Sequence, residues 1–214
     1  MGLTAEQIEA GMRALAAAEP AFATGLATHG VPAPRINPRG HTTLLRTIVG
    51  QQVSVQSAAA VWRRLEEALG EGVPPAAIMA ASDEVLRAAG LSRQKSSYVR
   101  SLAELVTTGA LDLANLPEDD EAAVAELVRI KGIGRWSAEI YLLFAEGRAD
   151  VWPAGDLAVQ IEIGHLLGHE TRPSEKMVRE LSEPWRPHRG ALAIFAWHHY
   201  GRRLAAGKAE KAPI

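Results

Sequence analysis

Gly132-Ile133-Gly134 is the segment whose residue types and spacing most directly suggest chemistry. Lys131 and Arg135 lie on either side of it, inside a longer run of helical periodicity. Glycine allows positive φ angles and a close approach of the backbone to a ligand. The helix that follows is expected to present free N–H groups and the positive end of its dipole, which indicates a site for an anion such as a DNA phosphate. The alternative is an ordinary tight turn between packed helices, which the three residues alone would favour.

A second candidate is Asp156, a carboxylate at the end of the loop Pro153-Ala154-Gly155. The helical pattern that follows, through Val159 and Ile163, makes an N-cap the simplest interpretation, because aspartate is favoured at that position. An N-cap role would also fix the carboxylate so that it points out of the helix. A structural role and a chemical role are therefore compatible at this residue.

Helical periodicity positions both candidates, and we find no convincing alternating strand pattern, so the predicted fold class is all-α. Thr4 and Gln7 have the spacing of a capping box, and the helix they begin is expected to end near Pro20. The glycines and prolines of residues 25–39 predict a loop. Further helix starts are predicted at Ser54, Ser82, Ser92, Asp119 or Asp120, and Asp156, and a last long helix is predicted over about residues 188–206.

The composition sets broad limits on the function. Of the 214 residues, 47% are hydrophobic and 22% are charged, which is typical of a soluble globular protein. No apolar run reaches the roughly 18 residues that would span a bilayer, and the N-terminal segment does not resemble a signal peptide. We therefore expect a cytoplasmic protein that does not bind membranes.

Cysteine and charge narrow the possibilities further. The chain has no cysteine, which excludes disulfides, zinc–thiolate sites and cysteine-bound iron–sulfur clusters. The net charge of −2 gives no global indication of nucleic-acid binding, for which a local basic surface would be needed.

Four blocks of sequence, in addition to the hairpin, resemble a known family in the same order along the chain. The blocks are Ile-Val-Gly-Gln-Gln-Val-Ser at 48–54, Gly-Leu-Ser-Arg-Gln-Lys at 90–95 with Tyr98, Val-Trp-Pro-Ala-Gly-Asp at 151–156, and Trp-Arg-Pro-His-Arg at 185–189 followed by Trp197. The segment 127–138 resembles the helix-hairpin-helix motif of a DNA glycosylase superfamily. The full set resembles the DNA-3-methyladenine glycosylase II family over roughly residues 39–200.

The resemblance implies that Asp156 is the catalytic carboxylate. Glycoside cleavage passes through an oxocarbenium-like state and usually needs two carboxylates, one of which protonates the leaving group. A purine alkylated at N3 or N7 already carries positive charge and leaves without protonation. One carboxylate could then stabilise the sugar cation and orient a water, and we expect cationic lesions to be preferred over neutral ones.

Position 136 bears on a second activity. Helix-hairpin-helix glycosylases that also cut the strand carry a lysine two residues beyond the second hairpin glycine, where it forms a Schiff base. This chain has Trp136 there and so lacks the amine nucleophile. The resemblance therefore implies a monofunctional enzyme that leaves an abasic site.

An enzyme that acts on a base in duplex DNA must also flip that base into a pocket. By resemblance, the predicted substrate-binding residues are Trp136, Trp197 and Tyr141. An indole face would attract a cationic base by ~0.5–2 kcal/mol through a cation–π interaction. Tryptophans at helical spacing are otherwise core residues, which we expect for Trp62, whereas Trp152 and Trp185 fit either role.

The residues predicted to bind DNA lie in the hairpin and in a glutamine pair. They are Gln51, Gln52, Lys131, Gly132, Ile133, Gly134, Arg135 and Ser137. Of the two glutamines, the resemblance favours Gln52 as the side chain that fills the gap left by the flipped nucleotide. The alternative is that Gln51 and Gln52 are ordinary polar residues in a turn between two helices.

No metal site and no cofactor are expected. Glu162, His165 and His169 share one helical face with a spacing that could suit a metal, but nothing else in the sequence completes a ligand set. In the family, hairpin carbonyls can hold a structural monovalent cation when DNA is bound, and the resemblance implies the same here.

The architecture implied is the helix-hairpin-helix DNA glycosylase fold, with two helical subdomains and a DNA-binding cleft between them. One subdomain is expected to comprise residues 1–40 and 156–214, and the other residues 41–155, with the motif at about 124–146. Some family members have an additional N-terminal α/β domain, which this chain is expected to lack.

The predicted function is that of a monomeric, monofunctional DNA glycosylase of base excision repair. It would excise alkylated purines of the 3-methyladenine and 7-methylguanine type from double-stranded DNA. One alternative is a non-enzymatic helix-hairpin-helix DNA-binding protein, which would need neither Asp156 nor the paired tryptophans. Another is a glycosylase of the same fold for a different lesion, which Trp136 and the missing cysteines disfavour. A purely structural helical protein would leave the glycine hairpin unexplained.

Overall fold

A computed structural model describes residues 2–209, and within that range the regular structure is entirely helical. The all-α prediction is confirmed. The helices are α1 (Ala5–Ala18), α2 (Pro20–His29), α3 (His41–Gly50), α4 (Val55–Leu69), α5 (Pro75–Ala80), α6 (Asp83–Ala88), α7 (Arg93–Thr107), α8 (Asp120–Leu127), α9 (Arg135–Tyr141), α10 (Leu157–Leu166), α11 (Glu175–Leu181) and α12 (Arg189–Ala209), with a π-helical turn at Leu142–Glu146 and a 3₁₀ turn at Glu183–Trp185. Among the described helices, none has the length and apolarity needed to cross a membrane.

Polar side chains begin the helices where the sequence predicted them. Thr4 and Gln7 form the reciprocal capping box of α1, with the Gln7 amide 3.3 Å from the Thr4 hydroxyl and the Thr4 amide 2.9 Å from the Gln7 side-chain oxygen. The hydroxyls of Ser54, Ser82 and Ser92 accept hydrogen bonds from the third residue of α4, α6 and α7. Each contact satisfies an N–H that the helix itself leaves unpaired.

The predicted loop over residues 25–39 is wrong in its first part, because α2 continues to His29. Pro20 is the first residue of α2 and suits that position, since its missing N–H needs no partner there. Gly25 lies inside α2 at a close contact, where an added Cβ would be 2.9 Å from Leu166 and 3.2 Å from Phe195. This glycine therefore allows helices to approach closely and does not break one.

The helices form two units. The first comprises the described residues of Met1–Ile36 and Leu142–Ile214. Its central element is α12, which packs against α1, α2 and α10. Six consecutive residues of α12, 191–196, are buried, which is expected of a helix surrounded by others.

The second unit is Asn37–Tyr141. In it α7 packs against α3 and α5, and α3 also contacts α4 and α9. Its core contains Leu44, Leu45, Ile48, Val99 and Leu102, all of which are at most 1% exposed. Trp62 is also buried, as predicted.

Residues 142–155 belong to the first unit, whereas the sequence-based division placed them with residues 41–155. Contacts far apart in sequence explain the difference. The Gly190 amide donates to the Ala149 carbonyl at 2.8 Å, and the Trp152 ring lies 6.0 Å from the ring of Trp185 in an edge-to-face arrangement. Both tryptophans are therefore core residues of this unit.

A buried carboxylate links α10 to α12. Glu162 is fully buried, and its carboxylate oxygens lie 2.5 Å from His199 Nδ1 and 2.9 Å from an Arg203 guanidinium nitrogen. The helical face on which the sequence placed Glu162, His165 and His169 thus supplies a contact between helices at Glu162. Burying a charge is costly unless it is paired and hydrogen-bonded, and both conditions are met here.

We predict that Glu162→Ala destabilises the fold by about 3–5 kcal/mol, because it leaves buried His199 and part-buried Arg203 without their shared partner. Urea denaturation followed by circular dichroism measures the change. Glu180→Ala is a matched control, since Glu180 is exposed and lies 3.9 Å from Lys176, and it should change stability little. Equal losses for the two variants would contradict the role given to the buried contact.

Candidate active site and DNA-contact residues

Asp156 is the N-cap of α10, as predicted. Its Oδ1 accepts a hydrogen bond from the Val159 amide at 3.0 Å, and its own amide donates to the Pro153 carbonyl at 2.9 Å. The loop before it is held from inside the unit, because the side-chain amide of Gln160 donates to the Ala154 carbonyl at 2.8 Å. The Asp156 side chain is half-buried at the end of this loop.

A second donor reaches the same carboxylate oxygen. Trp197 Nε1 on α12 lies 3.0 Å from Asp156 Oδ1, and the Trp197 ring packs on Phe144 with a centroid distance of 5.6 Å. Sequence reasoning predicted Trp197 as a wall of the base pocket and missed its hydrogen bond to Asp156. The two residues are 41 positions apart, and no local pattern indicates the contact.

Arg189 is another residue that sequence reasoning did not single out. The residue is 8% exposed. Its guanidinium forms a bidentate ion pair with Asp150, with N–O distances of 2.9 and 2.8 Å, and also bonds Glu183 at 3.3 Å. Paired N–H donors of arginine match the two oxygens of a carboxylate and fix its orientation. Because Asp150 directly precedes the segment that ends at Asp156, this pair anchors the start of that segment to α12.

The hairpin joins α8 to α9 and contains buried apolar residues. Ile130 and Ile133 are at most 4% exposed. Gly132 has a φ of +83°, and a Cβ at this position would lie 2.2 Å from the ring of Tyr98. Glycine is thus required both by the left-handed backbone and by the neighbouring ring. Ile133, which the sequence analysis predicted to bind DNA, is buried between the two glycines.

The two glutamines next to the hairpin differ in their environment. Gln51 donates from its side-chain amide to the Gly132 carbonyl at 2.8 Å, so it links its turn to the hairpin. Gln52 is exposed, with a left-handed φ of +56°. Lys95 supports the same turn by donating to the Val49 carbonyl at 2.6 Å, and burial lowers the pKa of this lysine.

The cations at the hairpin also differ in their environment. The Arg135 guanidinium bonds both carboxylate oxygens of Glu121 and contacts Glu139 at 3.2 Å, and these carboxylates raise the pKa of Arg135. Lys131 is exposed, and its side chain forms no ion pair within residues 2–209. Its backbone amide donates to the Ser101 hydroxyl at 3.1 Å. Ser137 is half-buried in α9.

The remaining predicted pocket residues lie in the second unit, in α9. Trp136 is 46% exposed, so much of its indole surface is open to a ligand or to solvent. Tyr141 is 3% exposed, and its hydroxyl accepts a hydrogen bond from the Gly40 amide at 2.8 Å. This contact gives Tyr141 a structural role within its unit, and its role in base binding stays a prediction.

We predict that Gly132→Ala destabilises the protein more than Gly109→Ala does. Both glycines have positive φ, +83° and +71°, but a Cβ at Gly109 would meet nothing within 4 Å. The left-handed conformation should cost alanine about 1–2 kcal/mol at either position, and the Tyr98 contact should add about 1–3 kcal/mol at Gly132. Chemical denaturation compares the two variants, and equal losses would show that the Tyr98 ring yields without cost.

Residues 45–187 match the family of HhH-GPD superfamily base excision DNA repair proteins. The chain is 32% identical to DNA-3-methyladenine glycosylase 1 of Schizosaccharomyces pombe over 158 residues, which cover 72% of this chain and 69% of that protein. It spans 58% and 59% of the length of two further relatives.

Solved structures give the same assignment. The fold is similar to that of a DNA-3-methyladenine glycosidase from Bacillus halodurans, with a TM-score of 0.84, 29% identity and coverage of 91% of each chain. It is also similar to the 3-methyladenine DNA glycosylase of S. pombe in complex with abasic DNA, with a TM-score of 0.67, 27% identity and coverage of 84% of this chain and 89% of that one. The family match spans the glutamine pair, the glycine hairpin and the capped Asp156 loop, and on that ground the chain belongs to the HhH-GPD superfamily of base excision DNA repair proteins.

Proposed function

We propose that this protein is a monofunctional DNA glycosylase of the DNA-3-methyladenine glycosylase II type. It excises alkylated purines from double-stranded DNA by hydrolysis, acts as a monomer and leaves an abasic site. The observation that carries the proposal is the Asp156 carboxylate, held at the N-terminus of α10 by the Val159 amide and the Trp197 indole. The names of its relatives support the substrate class, and the abasic DNA in one similar structure corresponds to the expected product.

The reaction needs little more than a fixed anion if the substrate is cationic. When the bond between C1′ and the purine nitrogen breaks, both electrons go to the alkylated base, which leaves as a neutral molecule. The sugar becomes oxocarbenium-like, and the Asp156 carboxylate stabilises this positive charge. Water then bonds to C1′ and releases a proton to solvent. Neutral lesions would need protonation first and should react more slowly.

Residues of the second unit would hold the DNA. Lys131 supplies a cation for a phosphate beside the hairpin, and exposed Gln52 is the side chain available to fill the gap left by a flipped nucleotide. Gln51 is already bonded to the Gly132 carbonyl, so it supports the turn from which Gln52 projects. The exposed indole of Trp136 offers a surface on which a cationic base can stack.

No step of this reaction depends on a bound ion. The hairpin carbonyls of Leu127, Ile130 and Gly132 each accept a hydrogen bond within the unit. Because a carbonyl oxygen can accept a second interaction, a structural monovalent cation at the hairpin when DNA is bound stays a prediction from the resemblance. Strand cleavage is not proposed either, because Trp136 offers no amine for a Schiff base.

The principal test is release of methylated bases from alkylated duplex DNA, comparing wild type with Asp156→Asn. Asparagine also caps helices well, so α10 should remain intact while the negative charge is lost. We expect kcat to fall by at least about 100-fold, which is the usual cost of losing a stabilising group at the developing charge. Asp119→Asn, a cap exchange at the start of α8, is the matched control and should leave kcat unchanged.

Each outcome of that test distinguishes between candidates. Wild type that releases methylpurines without strand cleavage, and without a borohydride-trapped adduct, supports the monofunctional enzyme. Wild type that binds duplex DNA but releases no alkylated base supports the non-enzymatic DNA-binding protein. Release of a different damaged base in place of methylpurines would assign the same fold to another lesion.

We further predict that Trp197→Phe lowers kcat by roughly 10- to 100-fold, because it removes one donor to a charged group and keeps an aromatic ring. KM should change less, since the lost contact is to Asp156. Trp62→Phe is the control, because Trp62 Nε1 is buried without a hydrogen-bond partner among the described residues. A kcat for Trp197→Phe equal to that of Trp62→Phe would show that the indole N–H does not position the carboxylate.

A further inference from the structure

A polar groove of about 720 Å³ lies along α7 in the second unit and ends at the hairpin. Its charged lining residues are Asp83, Arg87, Arg93, Arg100, Glu104 and Lys131. We call it the α7 groove. None of these groups except Lys131 has a role in the function proposed above.

The charges of the α7 groove do not cancel. Arg100 is paired within the unit, because its guanidinium donates to the carbonyls of Ile78 and Ala81 at 3.1 and 2.8 Å and to Asp83 at 2.8 Å. Among the charged lining residues, this leaves one anion, Glu104, and three cations, Arg87, Arg93 and Lys131. The groove therefore carries an excess of positive charge on a chain whose net charge is −2.

The other two arginines contribute little to the fold. Arg87 approaches Glu84 only at 3.8 Å, with both side chains more than 70% exposed, and surface pairs of this kind contribute little to stability. Arg93 is the first residue of α7, where a positive charge opposes the helix dipole. It is exposed and forms no ion pair with any residue that the structure describes. Arg87 lies in the last turn of α6, where a positive charge is favourable, whereas folding does not explain the position of Arg93.

The lining suits phosphates better than a protein surface. Between the cations lie the hydroxyls of Ser97 and Ser101, whereas the apolar side chain in the lining, Leu91, is 2% exposed. From Arg93 to Ser101 the helix rises about 12 Å, which corresponds to roughly three or four phosphates at 3.4 Å per nucleotide of one strand. Arginine and serine side chains are common phosphate contacts in protein–DNA complexes.

The groove is also continuous with the hairpin. Lys131 belongs to both, and its backbone amide donates to Ser101, which lines the groove. A DNA strand whose phosphate lies at the hairpin can therefore continue along α7 without leaving the basic surface.

We propose that the α7 groove is a second contact surface for the DNA phosphate backbone, in which Arg87 and Arg93 neutralise phosphates beyond those held at the hairpin. This inference rests on the proposed function for the identity of its ligand. It assigns affinity for duplex DNA, without base specificity, to residues outside the candidate active site.

The experiment measures binding of the full chain to an undamaged duplex by fluorescence anisotropy from 50 to 200 mM salt. The variant is Arg87→Ala/Arg93→Ala. Arg13→Ala/Arg63→Ala is the matched control, since both of its arginines are more than 70% exposed and each pairs with a glutamate on the same helix. Both double variants change the net charge by the same amount.

We expect the groove variant to reduce the slope of log affinity against log salt by about 2, because two phosphate contacts are lost. Wild type should then lose roughly tenfold more affinity than the groove variant between 50 and 200 mM salt. Base release at saturating DNA should be unchanged, and the control should retain the wild-type slope.

The remaining outcomes separate this inference from the proposed function. If wild type excises methylpurines and the groove variant keeps the wild-type slope, the groove inference is overturned and the function stands. If the groove variant lowers the slope but wild type excises nothing, the function fails and the groove stands. If wild type does not bind duplex DNA, both fail. If the groove variant no longer binds poly-glutamate but still binds duplex DNA as wild type does, the ligand of the groove is an acidic peptide and the inference is overturned.

Discussion

The two hydrogen bonds to Asp156 Oδ1 depend on the packing of α10 against α12 in the first unit. The Val159 amide and the Trp197 indole both donate to this oxygen. A neutral donor orients a carboxylate without adding a second full charge, whereas an ion pair would offset the field that, under the proposed function, the carboxylate would present to a developing sugar cation. One donor belongs to α10 and the other to α12. Both hydrogen bonds to Asp156 Oδ1 can therefore form at once only when α10 and α12 keep one relative position.

Ionic contacts elsewhere in the first unit also join α12 to α10 and to the segment before α10. Glu162 joins α10 to α12 through His199, and Arg189 joins the start of α12 to Asp150. Apolar pairs could supply as much stability at such positions, because desolvation offsets much of the attraction within a buried ion pair. Directional contacts restrict the relative positions of two helices more narrowly than apolar packing does. Their presence on both sides of the Asp156–Trp197 contact is consistent with a need for fixed geometry more than for stability.

Local signals made much of the fold predictable from sequence. Capping residues such as Ser92 act on amides three positions away, so the pattern and its consequence lie in one segment. The glycine hairpin and the capped Asp156 were identified for the same reason. The prediction of a loop at Gly25 was wrong, because this glycine leaves room inside a helix for the side chain of Leu166, which is distant in sequence. The bond from Trp197 to Asp156 likewise depends on tertiary packing, and a single sequence carries no local trace of such a contact.

The placement of cations matters more than their number for a protein with this net charge. Under the proposed function, the Asp156 carboxylate would repel the phosphates of the substrate, so attraction would have to come from cations that are not already neutralised. Arg135 is paired with Glu121 and Glu139. These pairs stabilise the start of α9 and leave less of the charge of Arg135 available to neutralise a phosphate. Lys131 lies four residues earlier and is exposed. Lys131 beside the hairpin and Arg93 at the start of α7 are exposed and form no ion pair among the described residues, so a phosphate backbone could reach both without displacing a structural ion pair.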